Sequence, residues 1–451
     1  MSLNSLRHVL AGKQLLREEI PFEMVDSPSI SKRPGILFDK KGRACCNRCG
    51  NSDKELLAEF PCVRCGKKCV YCRACIMMGR VSECTPLYGW SGELPRIDAA
   101  PLKWNGSLSD GQKVASDRVV KAISHNEELL VWAVCGAGKT ELLFKGIEVA
   151  FASGKRVCIA TPRTDVVLEL TPRLQFVFPS IQIASLYGGS DDRHQFSPLT
   201  ITTTHQLLRF YQAFDVMIVD EVDAFPYSVD PILQYAVRNA RKVESSLIYL
   251  TATPSQNWQR ECKSGKRNFV TIPARFHRRA LPAPEFVWCG NWEKVVKKGR
   301  LPLKLQKWIE QRLLAATPML VFVPTVAWMA KLLPLIQMID DRIESVHAED
   351  PDRKEKVLRM RKKEIPLLLT TTIFERGVTF PGLDVAVLGA EDWIFTESAL
   401  VQIAGRVGRS VDKPFGNVSF FHNGRTQAME KAKNQIVSMN KEAKVKGLVD
   451  K

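Results

Sequence analysis

The feature that most constrains the fold is a glycine-rich turn between an apolar run and a helix-forming segment. Residues 129–132 predict a buried strand, residues 133–140 are Ala-Val-Cys-Gly-Ala-Gly-Lys-Thr, and residues 141–144 predict the start of a helix. This order is typical of a phosphate-binding loop, in which backbone N–H groups surround a phosphate at a helix N-terminus. We expect Lys139 to reach the β- and γ-phosphates of ATP and Thr140 to bind Mg²⁺.

This loop departs from the strict phosphate-loop pattern at one position. Ala133 stands where the first glycine belongs, a variant common in helicase-like ATPases. The backbone of Gly136, Ala137 and Gly138 is expected to contact the nucleotide phosphates. The alternative is a chance glycine turn, which the preceding strand and the following Lys-Thr pair disfavour.

An acidic motif follows the phosphate loop by about eighty residues. Asp220 and Glu221 come directly after the apolar run 216–219, which predicts a buried strand. Carboxylates at a strand end suit Mg²⁺ binding and water activation, so we assign Asp220 to Mg²⁺ and Glu221 to the role of general base. The alternative is a surface acidic turn.

Two further blocks carry hydroxyl groups or arginines. Hydroxyls in the Thr-Ala-Thr-Pro sequence at residues 251–254 are expected to bond the acidic motif and couple it to a substrate groove, although a plain strand-end turn is the simpler interpretation. Residues 370–378 predict a strand end and glycine turn that can hold a sugar-phosphate backbone. Residues 402–409 predict the opening of a helix with two arginines on one face, able to reach a γ-phosphate across an interdomain cleft. Such an arginine pair alone is more often a solvated surface.

Alternating strands and helices predict an α/β fold of two domains, each a parallel sheet wrapped by helices. The first is expected over residues 104–280 and the second over residues 281–451, ending in a helix at residues 425–446. The basic, proline-containing stretch at residues 263–290 is interpreted as their connection. Strands are predicted at residues 129–134, 156–160, 183–187, 200–203, 216–219, 247–250, 319–323, 345–347, 367–370, 385–388 and 417–421.

A cysteine-rich module is expected over residues 41–103, after a loosely packed arm at residues 1–40. Nine of the thirteen cysteines lie between residues 45 and 84, which in a cytosolic chain indicates metal binding rather than disulfides. Two C-x₂-C-G knuckles are typical of a tetrahedral Zn²⁺ site. The candidate ligands are Cys46, Cys49, Cys62, Cys65, Cys69, Cys72, Cys75 and Cys84, which leaves Cys45 as the odd one.

The number and pairing of the metal sites stay open at this stage. Eight cysteines allow one or two Zn²⁺ ions, for example with Cys46, Cys49, Cys62 and Cys65 in one site and the later four in another, or with interleaved sets. An iron–sulfur cluster is the rival cofactor. The module is as plausible as a structural staple as it is as a DNA-binding element.

The charge balance bears on partners and location. The chain carries 65 Lys and Arg against 48 Asp and Glu, a net charge of +17, which favours nucleic acid or an anionic membrane surface as partner. The alternative is a merely soluble basic protein. The sequence has no signal-like N-terminus and no run of eighteen apolar residues, so we expect a cytoplasmic protein.

Taken together, the blocks resemble the ordered motifs of superfamily 2 helicases across about residues 104–421. The resemblance implies two tandem RecA-like domains that bind ATP and Mg²⁺. It implies catalytic and cofactor roles for Lys139, Thr140, Asp220, Glu221, Gln402, Arg406 and Arg409. It implies an adenine contact for Gln112 and nucleic-acid contacts for Thr161, Arg163, Thr203, Thr204 and Arg376.

The combination more closely resembles the ComFA family of late-competence helicase-like ATPases. The cysteine module, with its residues 60–75, precedes the helicase core, the acidic motif at residues 220–226 is Asp-Glu-Val-Asp-Ala-Phe-Pro, and residues 374–381 and 402–409 complete the pattern. In the related replication-restart helicase PriA, zinc cysteines instead interrupt the second helicase domain. The resemblance implies an ATP-driven motor on single-stranded DNA at the inner face of the cell membrane.

The same resemblance implies partners that the residues themselves do not encode. These are the competence uptake channel, a ComFC-type protein and a DprA-type strand loader. Peripheral membrane association and oligomer formation are both compatible with this resemblance. Three alternatives remain: a helicase that unwinds duplex or remodels RNA, a nucleic-acid-binding adaptor with weak ATPase activity, and a zinc-module interaction protein recruited to a membrane by basic residues.

Overall fold

The computed structural model describes residues 3–21, 23, 27–375 and 380–450. The chain divides into two compact units. Unit 1 contains residues 1–108, 112–131 and 139–270, and unit 2 contains residues 109–111, 132–138 and 271–451. Among the described residues, no helix has both the length and the apolar character needed to cross a bilayer.

The N-terminal part of unit 1 is a set of short antiparallel hairpins. β1 pairs with β6, β2 with β3, and β4 with β5. Turns between these strands bring distant cysteines together. The elements are α1 (Leu3–Leu10), β1 (Ile30–Arg33), β2 (Ile36–Phe38), β3 (Ala44–Cys46), β4 (Leu57–Pro61), β5 (Lys68–Cys72) and β6 (Leu87–Trp90).

Helix α1 is packed, so the expectation of a loosely packed arm over residues 1–40 was wrong for this segment. Leu6, Val9 and Leu10 of α1 are at most 2% exposed, and they form a small core with Leu15 and Ile30, among others. A helix of 8 residues spans only about two turns, which is too short for its apolar periodicity to stand out in the sequence.

The large sheet of unit 1 has seven strands, flanked by helices. The apolar runs in the sequence form these strands because each is buried on both faces, as helix-covered parallel sheets require. The elements are α2 (Asp110–His125), β7 (Glu128–Ala133), α3 (Phe144–Ala152), β8 (Val157–Thr161), α4 (Thr164–Val177), β9 (Ile183–Leu186), β10 (Leu199–Thr203), β11 (Phe214–Asp220), α5 (Pro231–Ala240), β12 (Arg241–Thr251), α6 (Gln256–Lys263) and β13 (Phe269–Ile272).

The strand order of this sheet positions the candidate site. The order is β13-β7-β12-β11-β8-β10-β9, and β8 to β12 pair in parallel. The phosphate loop follows β7, the acidic motif ends β11, and the Thr-Ala-Thr-Pro block ends β12, so all three motifs follow neighbouring strands. All six strands predicted for this domain are confirmed.

Unit 2 contains a second sheet, in which every pairing is parallel. Its order is β14-β19-β18-β15-β17-β16, and the five predicted strands and the C-terminal helix are confirmed. The elements are β14 (Glu285–Trp288), α7 (Trp292–Lys297), α8 (Leu303–Leu314), β15 (Met319–Phe322), α9 (Val326–Gln337), β16 (Glu344–Val346), α10 (Arg353–Arg361), β17 (Leu367–Thr370), β18 (Asp384–Leu388), α11 (Glu397–Ala404), β19 (Val418–His422) and α12 (Gln427–Val445).

The stretch interpreted as an interdomain connection, residues 263–290, is more ordered than expected. It contains β13 and β14, which the sequence pattern missed because neither is a fully buried apolar run: every second residue of β13 is buried and no residue of β14 is. The main division between the units falls at residue 270 rather than 280. Residues after it belong to unit 2: the Leu281 N–H, for example, donates to Asn440 Oδ1 of α12 at 2.8 Å.

A substitution in α1 tests whether the N-terminal segment is structural. We expect Leu10→Ala to lower the free energy of unfolding of unit 1 by about 2–5 kcal/mol, because it opens a cavity at a side chain that is 0% exposed. Leu3→Ala is the matched control on the same helix, since Leu3 is 44% exposed and should change stability by less than about 0.5 kcal/mol. Urea denaturation followed by circular dichroism measures both. Equal effects would contradict a packed N-terminus.

Candidate nucleotide site and cysteine clusters

The phosphate loop has the backbone that its glycines predict. Gly136 and Gly138 adopt φ values of 82° and 70°, a left-handed conformation that glycine adopts without steric cost. After the loop, a 3₁₀ turn at Glu141–Leu143 leads into α3. Thr140 lies directly before that turn in helical backbone geometry. The loop therefore ends at the start of helical structure, as phosphate binding requires.

The lysine of the loop and the first carboxylate of the acidic motif lie side by side in unit 1. Lys139 Nζ is 3.8 Å from Asp220 Oδ1, and both side chains are mostly buried. Glu221 follows with φ of 55°, a strained conformation for a residue with a side chain, and its N–H donates to Asp220 Oδ1 at 2.8 Å. The chain therefore turns sharply between the two carboxylate-bearing residues.

The expected bond between the Thr-Ala-Thr-Pro block and the acidic motif is confirmed. Thr251 Oγ1 donates to Asp223 Oδ1 at 2.6 Å, and Thr253 Oγ1 donates to Asp223 Oδ2 at 2.5 Å. Both oxygens of one carboxylate are therefore bonded by hydroxyls of the neighbouring strand end. Hydrogen bonds to a charged group are about twice as strong as neutral ones, so this pair ties the end of β12 to the acidic motif.

Within unit 2, the phosphate-loop segment contacts the C-terminal part of α11. The Cys135 thiol donates to Gln402 Oε1 at 3.0 Å. Arg275, which is 1% exposed, donates from Nη1 to the Gly408 carbonyl at 2.6 Å, and burial lowers its pKa to about 10. Arg275 was not predicted as a functional residue, because in the sequence it is one of several basic residues in this stretch. Burial of a single arginine within a basic stretch produces no periodic pattern in the sequence.

The arginine motif ends a helix rather than opening one, which corrects the expected geometry. α11 stops at Ala404, and Gly408 has φ of 67°, so Arg406 and Arg409 lie in the turns that follow and do not share a helical face. Arg406 is 2% exposed and its Nε donates to the Glu375 carbonyl at 2.9 Å. Arg409 Nε donates to the Gly405 carbonyl at 2.9 Å.

The residues expected to contact nucleic acid are mostly buried. Thr161 and Thr204 are 0% exposed and Thr203 is 6% exposed. Arg163 forms a two-bond ion pair with Asp165, at 3.0 and 2.7 Å. Arg376 lies outside the described residues. The hydroxyl groups of these threonines are therefore positioned beneath the surface, and only Arg163 has partial access to solvent in unit 1.

The residue expected to contact adenine is also buried. Gln112, on the first turn of α2, is 1% exposed. Its role as an adenine contact stays a prediction.

The eight candidate metal ligands form two clusters of four thiols. Within each cluster all sulfurs lie within 4.8 Å of one another, with closest pairs at 3.4–3.9 Å. Four thiolates at about 2.3 Å around one tetrahedral ion are separated by about 3.8 Å, so each cluster has the dimensions for a single ion and no space for a multi-iron cluster. The clusters are Cys46, Cys49, Cys72 and Cys75, and Cys62, Cys65, Cys69 and Cys84.

This arrangement is the interleaved alternative, not the sequential example given above. Cys45 belongs to neither cluster, as expected. Each knuckle closes through its glycine: Gly50 N–H donates to the Cys46 carbonyl at 2.8 Å, and Gly66 N–H to the Cys62 carbonyl at 2.9 Å, both glycines having positive φ. The backbone N–H of Cys65 lowers the pKa of Cys62 to about 7, which favours the thiolate form that binds metals.

A buried arginine supports the first cluster. Arg48, between the two cysteines of the first knuckle, is 0% exposed. Its guanidinium donates to the carbonyls of Cys75, Met78 and Gly79 at 2.6–2.8 Å and lies 3.2 Å from the Cys75 sulfur. Contacts of this kind orient metal ligands. Arg48 was not predicted from the sequence, because a C-x₂-C motif does not indicate whether its two variable positions are buried.

The two parallel sheets, the phosphate loop and the bonded acidic motif define a helicase-type protein with two RecA-like domains. Matches to family models support this class. The "Type III restriction enzyme, res subunit" model matches residues 105–256, the "Helicase conserved C-terminal domain" model matches residues 304–411, and the "Competence protein ComFA N-terminal domain" model matches residues 1–89.

The chain belongs to the ComFA family of competence proteins. It is 50% identical to "Competence protein ComFA" of Bacillus subtilis (strain 168) over 442 residues, which is 96% of this chain and 95% of that protein. It is 40% identical to the protein of the same name from Streptococcus pneumoniae, over 98% of this chain and 99% of that protein. The expectation from the sequence motifs is confirmed.

Solved structures resemble the chain at the level of fold alone. The structure titled "S. cerevisiae Dbp5 bound to RNA and ADP BeF3" has a TM-score of 0.52 at 14% identity and covers 76% of this chain and 94% of that chain. "Structure of RecG bound to three-way DNA junction" has a TM-score of 0.52 at 15% identity, with 78% and 49% covered.

Paired alanine substitutions test how the cysteines are grouped. We expect wild-type protein to bind two metal ions per chain and Cys49→Ala with Cys72→Ala to lose one of them, because both thiols belong to one cluster. Cys49→Ala with Cys65→Ala should lose both ions, because that pair damages each cluster once. Mass spectrometry of bound metal measures the content. Cys45→Ala is the control and should retain both ions. If the cysteines were grouped sequentially, Cys49→Ala with Cys72→Ala would lose both ions and Cys49→Ala with Cys65→Ala would lose one.

Proposed function

We propose that this protein is an ATP-dependent single-stranded DNA translocase that drives transforming DNA into the cytosol during natural competence. The observation that carries the proposal is the ion pair between Lys139 and Asp220, 3.8 Å apart, beside the bonded Asp223. A phosphate-binding cation, a metal-binding carboxylate and a coupling element are thereby joined in one unit. Membership of the ComFA family supports a role in competence.

The donor set of the site fits ATP with Mg²⁺. A lysine ammonium and the N–H groups of a glycine turn are ligands for phosphate oxygens, and a hydroxyl with a carboxylate is typical of Mg²⁺ sites. In this proposal Lys139 binds the β- and γ-phosphates, and Thr140 and Asp220 hold Mg²⁺, which neutralises charge on the phosphates. To hold the metal, Asp220 would give up its ion pair with Lys139.

The remaining residues of the site act on the attacking water and on the transferred charge. Glu221 orients and deprotonates the water, and its turned backbone separates it from Asp220. Arg406 and Arg409 stabilise charge on the γ-phosphate, which requires Arg406 to leave the Glu375 carbonyl or to act through its other nitrogens. Gln402 supports the same segment through its bond with Cys135.

Movement along DNA requires that a change in the bound nucleotide alter the surface that contacts nucleic acid. The two hydroxyl bonds to Asp223 supply a rigid connection from the acidic motif to the end of β12. The net charge of +17 supports an ionic, salt-sensitive grip on the DNA backbone. Arg163 and Arg376 are the proposed backbone contacts, and the buried Thr161, Thr203 and Thr204 are proposed to shape the ends of β8 and β10 in unit 1.

Both cysteine clusters are proposed to hold Zn²⁺. Four sulfur ligands in tetrahedral arrangement select zinc or iron, and a redox-inert structural ion suits a module whose hairpins are short. Zinc ions would then cross-link hairpins whose buried residues, such as Ile36, Val81 and Leu87, share one apolar core with residues of the large sheet of unit 1. The proposed partners remain the uptake channel, a ComFC-type protein and a DprA-type protein, encountered in the cytoplasm at the membrane face.

ATP hydrolysis by the purified, zinc-loaded chain tests the proposal. We expect single-stranded DNA to stimulate hydrolysis strongly, and Lys139→Ala to lower the stimulated rate by about a hundredfold or more because the phosphates lose their cation. Lys145→Ala is the control, since Lys145 lies on α3 with its side chain 61% exposed and pairs with Glu148. Absence of hydrolysis under every condition would contradict the motor and favour an adaptor; stimulation by RNA alone would favour RNA remodelling.

A second variant series tests the coupling element. We expect Thr253→Val to reduce the ratio of DNA-stimulated to unstimulated ATP hydrolysis by about tenfold, because an isosteric side chain without a hydroxyl leaves one Asp223 oxygen without this bond. Thr253→Ser keeps the hydroxyl and should keep the ratio. A uniform loss of both rates in Thr253→Val would indicate a role in hydrolysis itself rather than in coupling.

A further inference from the structure

A large open groove lies within unit 2, on the surface formed by the ends of α7, α8 and α9. Its volume is about 1010 Å³, and Trp288 at the end of β14 and the adjacent Cys289 line it. The turn between α7 and α8, residues 298–302, also lines it, together with Leu335, Met338 and Ile339 near the end of α9. None of the residues assigned above to ATP, metal or DNA lines this groove.

The groove exposes large apolar side chains. Trp288 is 61% exposed, Leu303 is 72% exposed and Met338 is 84% exposed, and all three line it. Single exposed apolar residues are ordinary on a protein surface, but several around one concavity mark a binding site. Trp and Met are also the side chains enriched in protein interfaces.

The rim of the groove is basic. Lys298, Arg300 and Lys304 line it and are exposed, whereas Glu310 is its acidic lining residue. Lys304 Nζ lies 5.9 Å from the ring centre of Trp288, so a cation sits beside the largest apolar anchor. A ligand for this groove therefore needs negative charge around an apolar centre.

We propose that this groove binds an acidic segment of another protein that carries aliphatic or aromatic anchors. Acidic side chains would pair with Lys298, Arg300 and Lys304, while the anchors would cover Trp288 and Met338. Nucleic acid satisfies the charge but has no aliphatic groups for the exposed Leu303 and Met338. A second copy of this chain, with a net charge of +17, is a poor electrostatic match.

Fluorescence anisotropy with defined probes tests the proposal without ATP, so its failure is distinct from failure of the motor. The probe is a fluorescein-labelled peptide, Glu-Glu-Asp-Leu-Trp-Glu-Leu-Leu-Asp-Glu-Glu. Two comparison probes are the same peptide with Ser at every apolar position and a labelled oligothymidylate. We expect the amphipathic peptide to bind the full chain about tenfold more tightly than the Ser peptide, because only it fills the apolar floor.

Variants of the groove localise the binding. Lys298→Glu with Arg300→Glu should weaken the peptide about tenfold by reversing the rim charge, and Met338→Asp should weaken it by a similar factor. Two matched controls, Lys307→Glu and Leu314→Asp, lie on α8 outside the groove. Lys307 is exposed and Leu314 is 89% exposed. Each control should alter peptide affinity less than about twofold. Unchanged melting temperatures exclude misfolding as the cause.

Three results would overturn the proposal. The groove variants and the controls could bind the peptide equally, which would place its binding elsewhere. Oligothymidylate could displace the peptide and lose affinity in the same groove variants, which would make the surface a nucleic-acid contact. Sedimentation could show wild-type oligomers that the Met338→Asp variant dissociates, which would assign the groove to a second copy of the chain.

Discussion

The attraction between Lys139 and Asp220 is the interaction on which the rest of the nucleotide site depends. It joins the phosphate loop after β7 to the carboxyl end of β11 at 3.8 Å, with both side chains mostly buried. Burial of a carboxylate without a partner cation is energetically costly, so the Lys139 ammonium stabilises the mostly buried carboxylate of Asp220. The neighbouring carboxylate, Asp223, is satisfied separately by two threonine hydroxyls. Asp220 and Asp223 thus have separate partners, so the Lys139 ion pair and the threonine bonds do not share a carboxylate.

Much of the fold follows from sequence periodicity, and the features that the sequence did not predict have physical reasons. Strand positions, the phosphate loop and the threonine bonds to Asp223 were predictable because apolar runs and motif order encode them. The end of α11 was not, because it depends on the turns at Gly405 and Gly408 and on contacts such as that of Arg275 with the Gly408 carbonyl. The grouping of cysteines was also beyond the sequence, since several pairings satisfy the same spacing and only the hairpin geometry chooses among them.

Part of the basic character of this chain is internal. Lys13, Arg48, Arg156 and Arg275 are each at most 4% exposed and donate to backbone carbonyls. Burial lowers the pKa of Lys13 to about 7 and that of Arg156 to about 10. These side chains link segments that are far apart in the sequence. The charge available to a polyanion at the surface is therefore smaller than the net value of the sequence indicates.

The interleaving of the two cysteine clusters has a consequence for the order of events during synthesis. As the chain leaves the ribosome, Cys46, Cys49, Cys62 and Cys65 emerge first and form a complete set of four thiols, although the folded protein separates them into different clusters. The first native cluster becomes available only with Cys75, and the second only with Cys84. An ion bound at that point would be held by four ligands that the folded protein divides between two clusters, so metal loading before Cys75 and Cys84 emerge would need a later exchange of the ion.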